Sequence, residues 1–245
     1  MVLRCRLPSF PSFTPRQRIM SRWELITFFG ESAFLLPCAV FLYVWLRWRG
    51  ATESARHWLL AFSVTALAVL VSKLAFMGWG IGSETFDFTG FSGHSMMAAS
   101  ILPVLAYLAV PSGHRGLSLL AAAGGMLLAL AVGVSRLALH AHSVSEVISA
   151  LALGFCVSVP FIMRRAMPRG PMAMLLASAA LAMTMALPVG GIAGATHTWV
   201  QDLATFLSGR DRPYQRGEWT SLSGCRACVA GAAARPTCSA RHCRC

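Results

Sequence analysis

Three clusters of polar residues interrupt a chain that is otherwise mostly apolar. The first is Lys73, the only lysine among 21 basic residues. The second is Ser-Gly-His at 92–94, and the third is the segment VSRLALHAHSVSEV at 134–147. Together they supply cations, hydroxyls, imidazoles and a carboxylate, which are groups that bind an anion and transfer protons. The sequence therefore indicates chemistry on an anionic substrate.

His142 and Glu146 in the third cluster are four residues apart, so they share one face if a helix begins near His142. The carboxylate can then accept from one imidazole nitrogen and leave the other available, which orients an imidazole as a nucleophile or base. The alternative is an ordinary interfacial loop, in which Ser143 caps the next helix and Glu146 is solvated. The segment by itself leaves both interpretations open.

Lys73 lies in or at the end of a long apolar stretch. A charge near the centre of a membrane helix costs on the order of 3 kcal/mol on insertion scales. The lysine is therefore expected either to extend its ammonium to the interface or to serve a polar site.

The composition places these clusters in a membrane protein. Hydrophobic residues make up 56% of the chain and charged residues 12%, with a mean hydropathy of +0.61, which excludes an ordinary soluble domain. Helix is the expected secondary structure, because a strand facing lipid leaves its backbone groups unpaired. A crossing needs roughly 20 apolar residues, and the sequence predicts an all-α polytopic transmembrane bundle of about six spans. The candidate stretches are 25–46, 58–79, 94–110, 116–134, 144–163 and 171–189.

The net charge of +12 could suggest a nucleic-acid partner, but the arginines lie in tails and loops around the apolar stretches rather than on one soluble face. No nucleic acid is expected. Their distribution instead predicts orientation, since cytoplasmic loops carry the excess of basic residues. The second and fourth loops carry only Arg136, and are therefore expected outside. The first, third and fifth loops carry Arg47, Arg49, Arg56, Arg115, Arg164, Arg165 and Arg169.

The Ser-Gly-His triplet occurs a second time, at 112–114. His94 opens the third stretch and Ser135 closes the fourth, so two crossings separate them and they share a side of the membrane. The triplet at 112–114 lies one crossing from each and faces the opposite side. Topology thus predicts one site, and its members are Lys73, Ser92, Gly93, His94, Arg136, His142 and Glu146.

These residues together resemble a cradle for phosphate. Two cations, a hydroxyl and the amides at the start of a span all donate to phosphate oxygens. One histidine could attack phosphorus while the other protonates the departing oxygen, which amounts to hydrolysis through a phosphohistidine. Neither a metal nor another cofactor is expected. Glu84 and Asp87 lack the further ligands that a divalent cation needs.

These segments resemble the membrane-bound branch of the type 2 phosphatidic acid phosphatase superfamily, which shares its helical core with vanadium haloperoxidases. The pattern of that family is Lys-x6-Arg-Pro, then Pro-Ser-Gly-His, then Ser-Arg-x5-His-x3-Asp. Residues 135–146 match the third block in order and spacing, with Glu146 in place of Asp. The second block has Phe91 in place of Pro. The resemblance covers roughly residues 60–165.

The first block departs most from this pattern. It keeps Lys73 but has Gly80 and Ile81 where Arg-Pro belongs. One phosphate-binding cation is thus missing, and a charged hydrogen bond is worth roughly 1.5–3 kcal/mol. Arg210 or Arg212 is expected to replace it, because six crossings return the chain to the same side. This hypothesis predicts that Arg212→Ala lowers turnover.

The resemblance also implies residue roles. His140 has no counterpart in the pattern and is expected to be a polar residue of the interface. His142 would be the nucleophile, Glu146 its orienting acid and His94 the general acid. The residues implied to hold the phosphate oxygens are Lys73, Ser92, Gly93 and Arg136.

Four segments are expected along the chain. Residues 1–22 form a leader rich in Pro, Ser and Arg, disordered or preceding a true start at Met20. Residues 23–190 form the transmembrane phosphatase domain, and 191–220 an interfacial segment. Residues 221–245 form a cysteine-rich tail whose spacing matches no zinc site, and which is expected to be disordered.

The expected function is that of a metal-independent lipid phosphatase in a bacterial-type inner membrane, with its site at the outer face. The resemblance implies phosphatidate, phosphatidylglycerol phosphate or undecaprenyl diphosphate as substrate. The alternative is a non-catalytic protein that binds or transports a lipid phosphate. The bilayer and the lipid phosphate are the expected partners, and the oligomeric state stays open.

Overall fold

The computed structural model of this protein describes residues 22–111, 113–164, 191–216 and 218. Within those ranges the secondary-structure elements are helices joined by turns and loops, with one isolated bridge between Ser83 and Phe88. The predicted all-α class is confirmed. The helices are α1 (Arg22–Phe28), α2 (Ser32–Trp48), α3 (Thr52–Trp79), α4 (Gly93–Ala109), α5 (Arg115–Ala138), α6 (Val144–Met163) and α7 (Gly191–Ser208).

Four helical stretches of the described ranges are long and apolar enough to cross a membrane: α1 with α2 as Trp23–Trp48, then α3, α5 and α6. Helix α4 is also apolar but has only 17 residues. Large hydrophobic side chains such as Val64 and Leu120 are exposed on the outside of the bundle, as lipid-facing positions require. The protein is therefore a membrane protein. The predicted sixth stretch at 171–189, residues 1–21 of the leader and the tail at 221–245 lie outside the described residues.

The predicted stretches and the observed helices differ mainly at their ends. The fifth stretch coincides with α6, and the third is α4 shifted by one residue. Helix α5 continues to Ala138 rather than ending at residue 134, so Arg136 lies in its last turn. Helix α3 begins at Thr52 rather than at residue 58, because polar interfacial residues can extend a membrane helix. The first stretch is two helices, separated at 29–31.

Helix α4 lies at the centre of the bundle and packs against α5 and α6. Eleven of its 17 residues are buried. Two glycines on the neighbours permit the close approach: a Cβ on Gly125 would lie 2.7 Å from the Leu102 carbonyl oxygen, and one on Gly154 would lie 2.5 Å from the Met96 carbonyl oxygen. Helices in lipid are not driven together by the hydrophobic effect. Small residues let their backbones approach closely, so that van der Waals packing stabilises the contact.

Two left-handed turns end helices beside the site. Gly80 ends α3 with a φ of 67°, and the Ile81 amide donates to the Ala75 carbonyl. His140 ends α5 with a φ of 52°, and the Ala141 amide donates to the Arg136 carbonyl. These bonds form the helix-ending motif in which a left-handed residue satisfies the last carbonyls. The exposed His140 thus forms the turn that ends α5 and directs the chain towards His142.

The loop at 81–92 is fastened to two helices. The Phe91 amide donates to Ser72 Oγ on α3, at 3.1 Å, and Ser145 Oγ on α6 donates to the Phe86 carbonyl, at 2.6 Å. Gly90 adopts a φ of 149° and lies so close to Lys73 that a Cβ would meet the lysine Cγ at 3.1 Å. This loop therefore holds the start of α4 against the end of α3.

Helix α7 packs mainly on α3, where Gly78 permits the approach of Ala204. The chain after α7 returns to the end of α3, since the Tyr214 amide donates to the Met77 carbonyl at 2.8 Å. The segment predicted at 191–220 thus begins as a helix of the bundle, and its described residues 214–216 lie beside the site. Its interfacial location in a membrane stays a prediction.

The glycine contact between α4 and α6 yields a stability prediction. We expect Gly154→Ala to destabilise the fold by about 1–3 kcal/mol, because the added methyl overlaps Ala99 and the Met96 carbonyl. The thermal midpoint in detergent should fall. The matched control is Gly124→Ala, whose Cβ would meet nothing within 4 Å, and which should leave the midpoint unchanged or slightly higher. Equal effects of the two changes would contradict the packing argument.

Candidate active site

A cavity of about 780 Å³ lies where the end of α3, the start of α4 and the end of α5 meet. Helix α7 and the segment after it complete the wall. Five of the seven predicted site residues line this cavity: Lys73, Gly93, His94, Arg136 and His142.

Both histidines of the predicted site therefore lie at one end of the bundle. The other triplet is far away, since His114 precedes α5 at the opposite end of α4. The 17 residues of α4 separate the two ends by roughly 25 Å at 1.5 Å per residue. Ser112 itself lies outside the described residues.

Glu146 lies behind His142 and is fully buried, with 0% of its side chain exposed. Its Oε2 accepts from His142 Nδ1 at 2.7 Å, from the Ser143 amide at 3.2 Å and from Arg216 Nη2 at 2.8 Å. Its Oε1 accepts from the Thr89 amide at 2.6 Å and from Thr89 Oγ1 at 2.5 Å. Five donors thus compensate one buried carboxylate. The bond to Nδ1 leaves His142 Nε2 as the nitrogen available to the cavity.

The same carboxylate also caps its own helix. Ser143 is the N-cap of α6, its hydroxyl accepts from the Glu146 amide, and the Glu146 side chain accepts from the Ser143 amide. This reciprocal pair is the capping box, in which glutamate is favoured at the third helical position. The glutamate at the position where the family pattern has aspartate is long enough to reach both the cap and the imidazole.

Burial lowers the pKa of His142 below its ordinary value of 6.5. The bond to Glu146 and its negative charge oppose this shift, whereas the charges of Lys73 and Arg136 reinforce it. Because the net shift is downward, the imidazole is neutral at pH 7. A neutral imidazole whose Nδ1 donates to a carboxylate carries its lone pair on Nε2.

Two cations of the cavity wall lack a counter-charge at hydrogen-bonding distance. Among the described residues neither Lys73 nor Arg136 forms an ion pair, and Arg136 Nε is buried without a hydrogen-bond partner. A buried cation without a partner is costly, so such a site favours an anionic ligand.

Ser92 differs from the other predicted phosphate ligands. It is fully buried at the N-cap of α4, and its hydroxyl lies 3.0 Å from Ser95 Oγ rather than in the cavity wall. The contact of its hydroxyl with a phosphate stays a prediction. The adjacent Gly93 lines the cavity at the N-terminus of α4, where helix amides favour anions.

The structure brings Arg216, rather than Arg210 or Arg212, to the cavity. Arg210 stacks on the Tyr214 ring at 3.9 Å, and Arg212 is exposed and pairs with Glu218 at 2.8 Å. Neither Arg210 nor Arg212 is among the described residues that line the cavity, because the chain turns back towards it only after residue 212. That one of them replaces the missing arginine stays a prediction.

Arg216 lies in the segment that follows α7, far along the chain from the predicted residues of the site. Its Nη1 pairs with Asp87 at 2.6 Å and its Nη2 with Glu146 at 2.8 Å, and it lines the cavity. The left-handed Gly80 occupies the sequence position of the missing arginine and contacts the Tyr214 ring, which a Cβ there would meet at 3.4 Å. A larger residue at 80 would be strained and would crowd the segment that delivers Arg216.

Sequence reasoning missed four residues of the site. Glu31, Thr89 and Arg216 contact predicted site residues, and His197 lines the cavity from α7. Glu31 had a usable signal, since a carboxylate within an apolar stretch is as costly as Lys73. The other three carried no periodic or motif signal, and only the tertiary structure reveals them.

Comparison with known proteins places the chain among relatives. The PAP2 superfamily matches residues 78–169. The uncharacterized 22.5 kDa protein in the cps region of Klebsiella pneumoniae is 38% identical over 199 residues, which cover 79% of this chain and 95% of that protein. Phosphatidylglycerophosphatase B of Bacillus subtilis (strain 168) is 31% identical over 144 residues, which cover 53% of this chain and 66% of that protein. No solved structure matches the chain at a significant level.

The family match includes the loop, the start of α4, and the end of α5 with the turn after it, which contribute Thr89, Gly93, His94, Arg136 and His142 to the cavity wall. The match and the Bacillus relative support a phosphatase acting on a lipid phosphate. This membrane-embedded chain belongs to the PAP2 superfamily, the type 2 phosphatidic acid phosphatases.

Proposed function

We propose that this protein is a metal-independent lipid phosphatase that works through a phosphohistidine on His142. The observation that carries the proposal is the 2.7 Å bond between His142 Nδ1 and the buried Glu146, in a cavity where Lys73 and Arg136 lack ion-pair partners among the described residues. The first feature prepares a nucleophile and the second favours a phosphate.

The proposed reaction has two steps. In the first, His142 Nε2 attacks phosphorus, the bond to the leaving oxygen breaks, and that oxygen takes a proton from the His94 imidazolium. In the second, a water oxygen attacks phosphorus while its proton passes to the neutral His94. The bond between phosphorus and Nε2 then breaks, and its electron pair returns to nitrogen. His94 ends each cycle protonated, and phosphate is released.

The cations stabilise the charge on the equatorial phosphate oxygens. Lys73 and Arg136 are free to pair with them, and the amide of Gly93 lies at a helix N-terminus where anions are favoured. We assign Arg216 the position left by the missing arginine, because its Nη2 contacts Glu146 and its side chain is 39% exposed and lines the cavity.

The remainder of the cavity wall suits a lipid chain. Apolar side chains on three helices continue from the charged end, among them Val69 and Leu70 on α3, Met97 on α4 and Val200 on α7. A headgroup phosphate can therefore reach the cations while its acyl or prenyl chain stays among apolar residues. Phosphatidate, phosphatidylglycerol phosphate and undecaprenyl diphosphate are the proposed substrate classes.

The proposed location is a bacterial-type inner membrane, with the cavity facing outward. The support is the arginine distribution, since the loops that build the cavity follow α3 and α5 and carry few basic residues. An epitope tag inserted at Gly50, which has open space around it, should then be inaccessible from outside intact cells.

The first test is phosphate release by detergent-purified protein in excess chelator. The wild type should hydrolyse at least one of the three lipid phosphates, and His142→Ala should lose activity by several orders of magnitude, because the nucleophile is absent. A ³²P-labelled substrate should label the wild type, and the label should be stable to base and labile to acid, as a phosphoramidate is.

Three outcomes of that assay would contradict the proposal. Full activity of His142→Ala excludes the nucleophile, and loss of activity in chelator indicates a metal. Tight binding of the lipid without hydrolysis favours the alternative of a lipid-phosphate binder or transporter.

The lowered pKa of His142 predicts the acid side of the pH profile. The nucleophile must be neutral, so kcat/KM should fall on acidification with a midpoint below 6.5. Glu146→Gln removes a charge that raises the pKa of His142, so the midpoint should move to still lower pH while kcat decreases. The substrate is the same for both enzymes, so its own ionisation cancels in the comparison. A midpoint that moves upward would contradict this assignment.

Arg216 and Arg212 form a matched pair for a test of the replacement. Arg216→Ala should lower kcat/KM by roughly 10- to 100-fold, which corresponds to the loss of one charged hydrogen bond. Arg212→Ala should leave kcat/KM unchanged, since Arg212 is exposed and pairs with Glu218 rather than with a residue of the cavity. Equal activity of the two variants would remove Arg216 from the phosphate site, and a loss confined to Arg212→Ala would restore the original expectation.

A further inference from the structure

Glu31 occupies an unusual place in the first membrane span. It stands at the break between α1 and α2, with 20% of its side chain exposed, and it lines the cavity. Although it is the N-cap of α2, its side chain makes no capping hydrogen bond. The carboxylate therefore does not serve its own helix.

The break that carries Glu31 is packed tightly against the site. Thr27 Oγ1 and Ser135 Oγ lie 2.6 Å apart in a buried contact that joins α1 to the last turns of α5. A Cβ on Gly30 would lie 2.6 Å from Val132 Cγ1 and 3.2 Å from His94 Cβ. Only a glycine allows this approach, so the position of Glu31 next to His94 is determined by the fold.

Glu31 faces the histidine that the reaction needs as an acid. Its Oε1 lies 3.3 Å from His94 Nε2, but the pair is outside hydrogen-bonding geometry. Glu31 Oε2 and His94 Nε2 are both buried without a hydrogen-bond partner among the described residues. Arg136 is close enough to interact electrostatically with the carboxylate. Among the described residues no other group competes with Glu31 for His94 Nε2.

We propose that Glu31 is a positioning residue that holds the His94 ring in place to protonate the leaving oxygen. This inference rests on the proposed phosphatase function. A carboxylate oxygen 3.3 Å from Nε2 attracts the imidazolium that donates the proton, and so keeps the ring in one orientation. When the bond between phosphorus and the leaving oxygen breaks, the proton moves from His94 to that oxygen. Glu31 stays ionised, and its charge is then balanced by Arg136 until water returns a proton to His94.

The site therefore has one carboxylate for each histidine. Glu146 is fully buried, accepts hydrogen bonds from five donors and contacts His142, the proposed nucleophile. Glu31 is partly exposed and contacts His94, the proposed general acid. The other side chains of the same cavity lining that carry a charge or an imidazole are bases, namely Lys73, His94, Arg136, His142, His197 and Arg216. Glu31 is the one carboxylate among the described residues of the cavity lining.

The test compares two substrates that differ in their need for an acid. A short-chain phosphatidate has an alkoxide leaving group that must be protonated, whereas p-nitrophenyl phosphate releases a stable phenolate that needs no proton. We expect Glu31→Gln to lower kcat/KM for the phosphatidate on the order of 100-fold, the size of a general-acid contribution. For p-nitrophenyl phosphate the loss should be under about threefold. The value of kcat/KM is used because it reports on departure of the leaving group and not on later hydrolysis of the phosphoenzyme.

The matched control is Glu53→Gln, since Glu53 is an exposed carboxylate at the start of α3 that pairs with Arg56. It should behave as wild type with both substrates. Equal losses of the two activities in Glu31→Gln would overturn the inference, because a structural or binding defect affects both substrates alike. Wild-type behaviour of Glu31→Gln with the phosphatidate would overturn it as well. If the wild type hydrolyses neither of these substrates and none of the three lipids, the proposed phosphatase function itself is wrong. That outcome differs from failure of the Glu31 inference, in which the wild type is active.

Discussion

The buried carboxylate of Glu146 is the constraint on which the site depends. A charge removed from water at a helix end must be compensated, and here Thr89, His142, Ser143 and Arg216 supply the compensation. These donors come from the loop before α4, the turn between α5 and α6, and the segment after α7. One charge thus brings three parts of the chain together, and the imidazole is oriented as a consequence.

Unlike Glu146, the two cations of the cavity wall have no oppositely charged group at hydrogen-bonding distance among the described residues. Lys73 and Arg136 form no ion pair among the described residues, although Glu146 and Glu31 are near enough to act on them electrostatically. In the proposed function, a phosphate headgroup would supply a negative charge in direct contact with both cations, and the apolar residues of the cavity wall would accommodate its chain. The burial that makes these cations costly would also strengthen that contact.

The departures of this chain from the family pattern are connected by geometry. A left-handed glycine at position 80 ends α3 and leaves room for the Tyr214 ring, and the segment beyond that ring delivers Arg216 to Glu146. The longer side chain of Glu146, where the pattern has aspartate, joins the helix cap to the imidazole in a single group. Each departure is thus matched by a contact elsewhere in the structure.

The sequence by itself determined the helical class, the membrane location, the positions of most helices and the choice between the two Ser-Gly-His triplets. These follow from local quantities: apolar runs have the length of a bilayer, and the number of crossings assigns each loop to a side. The sequence also paired His142 with Glu146, because residues four apart on a helix are neighbours. Only the tertiary structure placed Glu31 against His94, brought Arg216 rather than Arg212 to the cavity and turned the Ser92 hydroxyl into the protein. Those contacts join residues 63 to 129 positions apart or depend on how a side chain packs, and neither periodicity nor spacing encodes such distances.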